Sequence, residues 1–419
     1  MTPAFASETF VSGHPPSNAE MLTPRVALLC DFHEEQWPSM DLVGDMLFQY
    51  LAAGYPGEIA IDQVVPAWHR RFSGLPLIGN TRHSYNADRL INRFSDYPRW
   101  LRIHSDRFDL FHIVDHSYAQ LVHELPPERT IVTCHDLDTF HCLFEPKREP
   151  RPRWFRAMMQ RTLKGFQQVA HVICVSEATR DELRCRGWFR DDQLSVIHSG
   201  VHPDLSADPD AATDDAVRRL VGDDSRDPLY LLHVGTNVPR KRIDVLLQVF
   251  AAVLKEFPQA RLVKAGEALD GAGWALAHSL GLQGHLVMAP NVDRGLLAAL
   301  YRNAAVLLQT SDAEGFGLPV IEALACGCPV VASNLFPLRE AGGVAALYCP
   351  VGDIAAWGSA VNGILRERFG GLERERRRAA GRLHAARFSW VEAAKQTLAV
   401  YRSVLDASKP TNKPAQVSV

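Results

Sequence analysis

The chain has 419 residues, of which 47% are hydrophobic and 22% are charged, and its formal net charge at pH 7 is -3. This length exceeds one ordinary hydrophobic core, so we expect two domains. The balanced composition excludes a disordered polypeptide and a surface adapted throughout to nucleic acid. The eight cysteines form no CxxC pair and mostly lie in apolar runs, which indicates neither a zinc site nor a disulfide framework.

The two ends of the chain are predicted to be disordered. Residues 1–24 and 409–419 are aperiodic and contain Pro, Ser and Asn. No apolar run reaches the ~18 residues that a membrane-spanning helix requires, and the N-terminus lacks the basic start and apolar core of a secretion signal. These features predict a cytoplasmic protein.

Residues 25–203 alternate short apolar runs with longer amphipathic ones, the pattern of βα units around a parallel sheet. In the helix that follows the first strand, Leu42, Met46 and Tyr50 recur at helical spacing behind Ser39 as the predicted cap. We therefore predict a Rossmann-like N-terminal domain. Its six predicted strands are 25–32, 58–65, 109–116, 130–136, 171–177 and 194–200.

The alternation stops at residues 204–228, which are rich in Asp, Pro and Ser and are predicted to connect two domains. It restarts over residues 229–387, the predicted C-terminal Rossmann-like domain. Residues 388–408 form a last helix with no strand after it, which we expect to pack back on the N-terminal domain. The six predicted strands of this half are 228–235, 260–266, 285–290, 304–310, 329–334 and 346–351.

The segment "SDAEGFGLPVIEALACGCPVVAS" (311–333) is predicted to run from a strand through a tight turn into a helix that begins at Pro319. The backbone amides of residues 315–317 would lie at the helix N-terminus, where the dipole favours an anion. Glu314 and Glu322 would lie on either side of that anion, and carboxylates are good acceptors for sugar hydroxyls. This pattern predicts a nucleotide sugar as the ligand, with a plain turn and a dipole partner as the alternative.

A second loop carries cations at the corresponding place in the same half of the chain. In "HVGTNVPRKRID" (233–244), Arg240 and Lys241 follow a predicted strand and precede a helix. Cations are mildly unfavourable at a helix N-terminus, so their presence there favours an anionic ligand such as a diphosphate.

Taken together, "EGFGLPVIEALACGCPVV" resembles the E-x7-E signature of the retaining glycosyltransferases of family 4, which have the GT-B fold, and "VGTNVPRKRID" is similar to their diphosphate-binding loop. The resemblance extends to "VTCHDLD" (132–138), "VICVSEATRDEL" (172–183), "VIHSGV" (196–201) and "FSWVEAA" (388–394). It implies an α/β protein with two Rossmann-like, doubly wound domains facing across a cleft. It also implies transfer of a sugar from a nucleotide donor to an acceptor with retention of configuration.

The resemblance also implies a role for each matched residue. Glu314 would contact the transferred sugar, Glu322 would hold the ribose, and the backbone around the turn would bind donor sugar and phosphate. Arg240 and Lys241 would neutralise the leaving diphosphate, and His135 would lie near the reacting sugar. The predicted catalytic residues are His135, Arg240, Lys241 and Glu314, and the predicted donor-binding residues are Arg240, Lys241, Glu314, Gly315, Phe316, Gly317, Leu318 and Glu322.

A metal site is the alternative for "HDLDTFH", since His135, Asp136, Asp138 and His141 are all metal-ligand types. The resemblance implies that neither a metal nor any cofactor beyond the nucleotide sugar is required.

The acceptor is predicted to be a saccharide or a lipid-linked saccharide. Residues 147–164 contain seven basic residues and one acid, with Trp154 and Phe155 among them, which is typical of a helix that lies on an anionic membrane surface. Such a helix would place the protein at the inner face of the cell membrane. The alternative is a solvated helix whose apolar side chains face the core.

The "PRK" of the cation loop resembles that of mannosyl- and rhamnosyl-type enzymes of bacterial surface polysaccharides, so mannose from GDP-mannose is the first expectation for the donor and UDP-sugars are the next. A nicotinamide-dependent dehydrogenase is disfavoured because no GxGxxG follows the first strand of either half. A non-catalytic nucleotide-sugar or glycan-binding protein and a GT-B epimerase or phosphorylase stay open as alternatives.

Overall fold

The structure, a computed structural model, describes residues 23–75, 81–222, 229–367 and 371–409. The predicted disordered ends lie outside the described residues, apart from residues 23, 24 and 409. The chain forms two compact units. In the described residues, the first unit comprises 23–75, 81–175, 179–197 and 391–409, and the second comprises 176–178, 198–222, 229–367 and 371–390.

The described part of the chain contains twelve strands and fifteen α-helices, joined by loops and short 3-10 turns. The strands are β1 Arg25–Leu29, β2 Ala60–Val64, β3 Leu110–Ile113, β4 Thr130–Cys134, β5 His171–Cys174, β6 Leu194–Val196, β7 Tyr230–Gly235, β8 Arg261–Gly266, β9 Leu286–Ala289, β10 Val306–Gln309, β11 Val330–Ser333 and β12 Leu347–Cys349. The helices are α1 Pro38–Gly54, α2 Arg82–Ile91, α3 Tyr97–His104, α4 His141–Phe144, α5 Arg153–Phe166, α6 Glu177–Cys185, α7 Ala211–Val221, α8 Ile243–Leu254, α9 Gly271–Ser279, α10 Arg294–Asn303, α11 Leu318–Ala325, α12 Phe336–Gly342, α13 Ile354–Glu367, α14 Leu372–Ala385 and α15 Trp390–Ala407.

Each unit contains a six-stranded, all-parallel sheet, which confirms the predicted α/β class. The first sheet has the order β2-β1-β3-β4-β5-β6 and the second the order β12-β11-β10-β7-β8-β9. The central strands are buried along their whole length, as β3, β4, β10 and β11 show. Parallel strands covered by helices on both faces require such continuous apolar runs, so the short Val-, Leu- and Ile-rich segments form strands here.

All twelve predicted strands are observed, and each is shorter than predicted. Most of the excess lies at the carboxyl ends, where the residues leave the sheet as loops. The first helix also differs in detail, since α1 begins at Pro38 and Ser39 lies inside it without capping it. Its buried face is formed by Val43, Met46 and Leu51, with Leu42 and Tyr50 only partly buried, so the predicted face is rotated by about one residue.

The segment predicted as a connection, 204–228, contains α7, which belongs to the second unit. Asp214 of α7 accepts a hydrogen bond at 2.7 Å from the buried guanidinium of Arg302 in α10. The first domain is predicted to end at residue 203, whereas in the structure the continuous part of the second unit begins at His198. An Asp- and Pro-rich composition is typical of a linker, but the ion pair between Asp214 and Arg302 fixes α7 on the second unit.

Helix α15 belongs to the first unit from Val391 onward. The hydroxyl group of Tyr401 lies 2.7 Å from Nδ1 of the buried His112 in β3, and Nε2 of that ring lies 2.7 Å from the Thr133 hydroxyl. A buried imidazole with both nitrogens paired fixes the helix against the sheet. No helix in the described part of the chain combines the length and the apolarity that crossing a bilayer requires.

Candidate functional site

The candidate site lies at the carboxyl ends of β7 and β10, which are neighbours in the second sheet. The strand order reverses between them, and ligands of open parallel sheets bind at such a reversal because the loops on either side leave a crevice. The two loops are bonded together. The hydroxyl group of Thr310 donates to the carbonyl oxygen of Lys241 at 3.0 Å, and the backbone N–H of Asp312 donates to that of Arg240 at 2.8 Å.

The carboxylate of Glu314 is the centre of the polar contacts in this crevice. Arg240 donates from Nη1 to Oε2 at 3.0 Å, and Lys241 donates from Nζ to Oε1 at 2.7 Å. The hydroxyl group of Ser311 donates to Oε1 at 2.6 Å, and the side-chain amide of Gln309 donates to the same oxygen. Three predicted site residues, Glu314, Arg240 and Lys241, thus meet in one cluster.

Charge balance in this cluster holds Glu314 ionised. Burial alone would raise the pKa of Glu314, but the opposite charges of Lys241 and Arg240 outweigh it and lower that pKa to about 2. Arg240 and Lys241 thus place two positive charges against the one carboxylate of Glu314. Two adjacent cations suit an anionic group such as a diphosphate.

The loop that follows Glu314 enters α11 through a glycine whose backbone conformation other residues rarely adopt. Gly317, the residue before the helix, has φ of 116°, and a Cβ atom there would lie 2.8 Å from a methyl group of Leu338. Only glycine fits this position without strain. The helix begins at Leu318, one residue before the predicted start, with Pro319 in its first turn. The N-terminus of α11 therefore lies directly beside the Glu314 cluster.

Glu322 lies one turn further into α11 and is buried. Its Oε2 accepts a hydrogen bond from the hydroxyl group of Tyr301 at 2.8 Å. Burial raises the pKa of Glu322 above its ordinary value, with the hydrogen bond from Tyr301 and the charge of Arg294 acting in the opposite direction. An acid that is buried with one neutral partner is destabilising, which is typical of a functional position rather than a structural one.

His135 lies in the first unit, in the loop after β4, whereas the other predicted site residues lie in the second unit. Its Nε2 lies 2.9 Å from the carbonyl oxygen of Val114. A carbonyl oxygen only accepts, so Nε2 carries the proton and Nδ1 is the acceptor nitrogen of a neutral ring. Burial, opposed by the charge of Asp115, lowers the pKa of His135, which agrees with the neutral form.

In the structure, the two histidines of the alternative metal site have different neighbours and do not face a common point. The ring of His135 faces the backbone of Val114, while Nδ1 of His141 lies 3.6 Å from a carboxylate oxygen of Asp138. Within the described ranges, no three or more metal-ligating side chains come together.

Three polar side chains at this edge of the sheet are not predicted by the sequence pattern. Gln309 and Ser311 donate to Glu314. The buried Lys264, in the second half of β8, donates to the carbonyl oxygens of Gly235, at 3.0 Å, and of Glu267. Burial lowers the pKa of Lys264 to about 8, against the raising effect of Glu267. The sequence does contain a signal for two of them: Lys264 and Gln309 are polar residues in the carboxyl-terminal half of mostly apolar strands.

Comparisons with known proteins identify the family of the chain and agree with its fold. The chain matches the family Glycosyltransferase Family 4 over residues 49–205 and the family Glycosyl transferases group 1 over residues 222–384. Between them, the two matches cover most of both units. The chain therefore belongs to the family 4 glycosyltransferases, and its fold is of the GT-B class, as predicted.

Similar curated proteins are named D-inositol 3-phosphate glycosyltransferase. The one from Segniliparus rotundus is 34% identical over 224 residues, which is 51% of this chain and 47% of the relative. The one from Mycolicibacterium smegmatis is 31% identical over 233 residues, 53% of this chain and 50% of the relative. The chain thus spans about half the length of the curated relatives it matches.

Solved structures show the same fold at low sequence identity. Sucrose-phosphate synthase from Thermosynechococcus elongatus has a TM-score of 0.69 and 22% identity, covering 92% of this chain and all of the other. Anabaena HepE in complex with UDP and glucose has a TM-score of 0.67 and 16% identity, covering 91% of this chain and all of the other.

Proposed function

We propose that the protein is a retaining hexosyltransferase that moves a sugar from a nucleotide donor to a saccharide or lipid-linked saccharide acceptor. Mannose from GDP-mannose is the first donor to test because of the "PRK" loop, and UDP-hexoses follow because one similar structure is described as a complex with UDP and glucose. Synthesis of a bacterial surface polysaccharide is the setting that we propose for the reaction.

One observation carries the proposal. Arg240 and Lys241 contact Glu314 beside the N-terminus of α11, at the strand-order reversal of the second sheet. Cations and helix N–H groups suit a diphosphate, and carboxylates suit sugar hydroxyls. A nucleotide sugar has both kinds of group joined directly, so a single ligand would satisfy the whole cluster.

The proposed reaction breaks the bond between the anomeric carbon and the diphosphate oxygen and forms a bond from the same carbon to an acceptor hydroxyl oxygen. Attack on the same face retains the configuration, and the acceptor proton passes to the leaving phosphate. Arg240 and Lys241 would stabilise the negative charge that develops on that phosphate, which is usually the largest single catalytic effect. Neutral His135 would orient the donor sugar, and no step requires a metal.

The proposal of a membrane-bound acceptor rests on α5. Its Met159, Leu163 and Phe166 are buried, while Trp154 is 59% exposed among the exposed Arg153 and Arg156. An exposed tryptophan among cations suits an anionic membrane surface. Liposome pelleting at two salt concentrations tests this: binding to acidic vesicles should fall at high salt, and absence of binding at low salt would eliminate the membrane surface as a partner.

The donor is tested by thermal stabilisation with GDP-, UDP-, ADP- and dTDP-sugars, using Glu322→Ala as the control. A ligand at one hundred times its dissociation constant adds roughly 2.7 kcal/mol to the free energy of unfolding. We expect one nucleotide class to raise the Tm, and the shift to decrease in the variant. No shift with any nucleotide would refute the proposed function.

Turnover then separates the proposal from its alternatives. A hexosyltransferase releases nucleoside diphosphate only when a sugar acceptor is present, and Arg240→Ala should lower turnover more than it lowers the Tm. Binding without product in any acceptor mixture would favour a non-catalytic binding protein, and dependence on phosphate or release of free sugar would favour a phosphorylase or an epimerase.

A further inference from the structure

Three segments whose sequences resemble the family, 172–183, 196–201 and 388–394, received no role above, and each contributes a side chain that contacts residues 315–317. His198, Ser176, Glu340 and Phe388 all belong to the second unit and lie within two contacts of this loop. We refer to residues 315–317 as the donor loop. The inference below rests on the proposed function, since it assumes that the donor loop binds a nucleotide sugar.

The donor loop, Gly-Phe-Gly, has only one side chain. Glycine has the largest conformational freedom of all residues, so a loop with two glycines needs external contacts to keep one conformation. The Phe316 ring is 5% exposed. It is therefore the one side-chain anchor available to the loop.

Aromatic contacts hold that ring on two sides. The imidazole of His198 stacks on Phe316 with the ring centroids 5.2 Å apart and the planes at 26°. The ring of Phe388 packs with its edge against Phe316 at 5.5 Å and 67°. Such pairs contribute beyond the apolar area they bury.

Glu340 of α12 holds His198 in place. Its Oε1 lies 2.5 Å from Nε2 of His198, and its two carboxylate oxygens accept from the backbone N–H of Glu177 at 2.9 and 3.0 Å. The neighbouring Ser176 donates from its hydroxyl group to the carbonyl oxygen of Gly315 at 2.6 Å. The backbone of the donor loop and the ring that supports it are thus tied to the same short segment.

The chain around His198 has little freedom to move. The backbone N–H of Val201 donates to the carbonyl oxygen of Phe388 at 3.1 Å. A Cβ atom at Gly200 would lie 2.3 Å from the backbone nitrogen of Trp390, so only glycine allows this approach. The two aromatic contacts of Phe316 therefore come from segments that are fixed against each other.

We propose that His198 is a positioning residue: stacked on Phe316 and bonded to Glu340, it fixes the donor loop so that its backbone N–H groups face the diphosphate of the donor. The residue does not touch the donor itself. Its effect is on the affinity for the nucleotide more than on the rate of transfer.

The test compares His198→Asn, which removes the stacked ring, with His198→Phe, which keeps a ring but removes the bond to Glu340. We expect the Kd of the nucleoside diphosphate and the KM of the nucleotide sugar to rise about tenfold in His198→Asn and about threefold in His198→Phe, with kcat changing less than threefold. Hydrogen exchange in a peptide that spans 313–321 should become faster, whereas exchange in α8 should stay as in the wild type.

His384→Asn is the matched control. His384 packs against Phe388, with ring centroids 5.6 Å apart, and bonds to the backbone of Ala341, so it lies in the same aromatic group without contacting the donor loop. Equal Kd values in His198→Asn and wild type, or an equal rise in His384→Asn, would overturn the inference. If the wild type binds no nucleotide, the proposed function fails instead, and hydrogen exchange alone decides whether His198 anchors the loop.

Discussion

Replacing Glu314 by Gln is expected to lower stability and to strengthen the binding of a nucleoside diphosphate. The pKa of Glu314 lies at about 2 in the folded protein, against an ordinary value of 4.5. A depressed carboxyl pKa stabilises the folded state above the ordinary pKa, and this stabilisation is lost as pH falls from about 4.5 towards 2. At pH 7 the difference corresponds to about 3 kcal/mol of unfolding free energy.

The melting temperature gives the first readout. For a domain of about 150 to 250 residues, such as the second unit, the Tm falls by about 2 to 4 °C for each kcal/mol of unfolding free energy that is lost. The Tm of Glu314→Gln should therefore be roughly 6 to 12 °C below that of the wild type at pH 7. The deficit should shrink as the pH is lowered below about 4.5, since the wild-type carboxyl then becomes protonated as well.

The opposite effect is expected on binding. Removing the carboxylate makes the charge around Arg240 and Lys241 more positive by one unit. At about 5 Å and an effective dielectric constant of 20, one further unit charge changes the interaction with an anion by about 3 kcal/mol at most. Arg240 is partly exposed, with 29% of its side chain accessible, so we expect a smaller gain, roughly tenfold tighter binding of UDP or GDP. Sugar transfer should still decrease, because Gln is a poorer acceptor for sugar hydroxyls.

Calorimetric titration with UDP and GDP, together with melting curves from pH 7 to pH 3, measures both effects. Glu256→Gln is a suitable control, because Glu256 pairs with Arg366 at 2.7 Å on an exposed surface of the same unit and should change the Tm little. Unchanged or weaker diphosphate binding in Glu314→Gln would refute the charge argument, and a Tm within 2 °C of the wild type would refute the stability argument.

Two further substitutions test the helix that follows the donor loop. Glu322→Gln should raise the Tm in the absence of ligand, because burial raises the pKa of the Glu322 carboxyl and the ionised group destabilises the folded state at pH 7. The gain in Tm should vanish below about pH 4.5, where the wild-type carboxyl is protonated as well. The affinity of this variant for the nucleotide should fall. A lower Tm for this variant at pH 7 would contradict that sign. Gly317→Ala should reduce stability by about 1 to 3 kcal/mol and weaken nucleotide binding, because φ is 116° and Leu338 is close. Melting curves beside Gly284→Ala, where a Cβ atom meets nothing within 4 Å, measure this. Equal Tm values for the two variants would show that position 317 accepts a side chain without strain.

The sequence by itself determined most of the architecture. Twelve apolar runs predicted twelve strands, and all twelve are present, because a strand buried on both faces of a parallel sheet needs an uninterrupted apolar stretch that is visible in the chain. Strand ends and the face of α1 were less accurate. Polar residues such as Asp136 continue a β-like pattern into a loop, and α1 buries Val43, Met46 and Leu51 where the sequence offers Leu42, Met46 and Tyr50 at the same helical spacing.

The components of the candidate site were also visible in the sequence, but their contacts were not. Glu314 and Lys241 each follow a strand, yet 73 positions separate them along the chain, and only the adjacency of β10 and β7 brings their side chains to 2.7 Å. The order of strands in a sheet depends on how strands and helices distant in sequence pack together, and no local sequence pattern encodes it. The contacts of His198 with Phe316 and Glu340 depend in the same way on segments far apart in sequence, so local propensity predicted the elements while long-range packing alone decided which side chains meet.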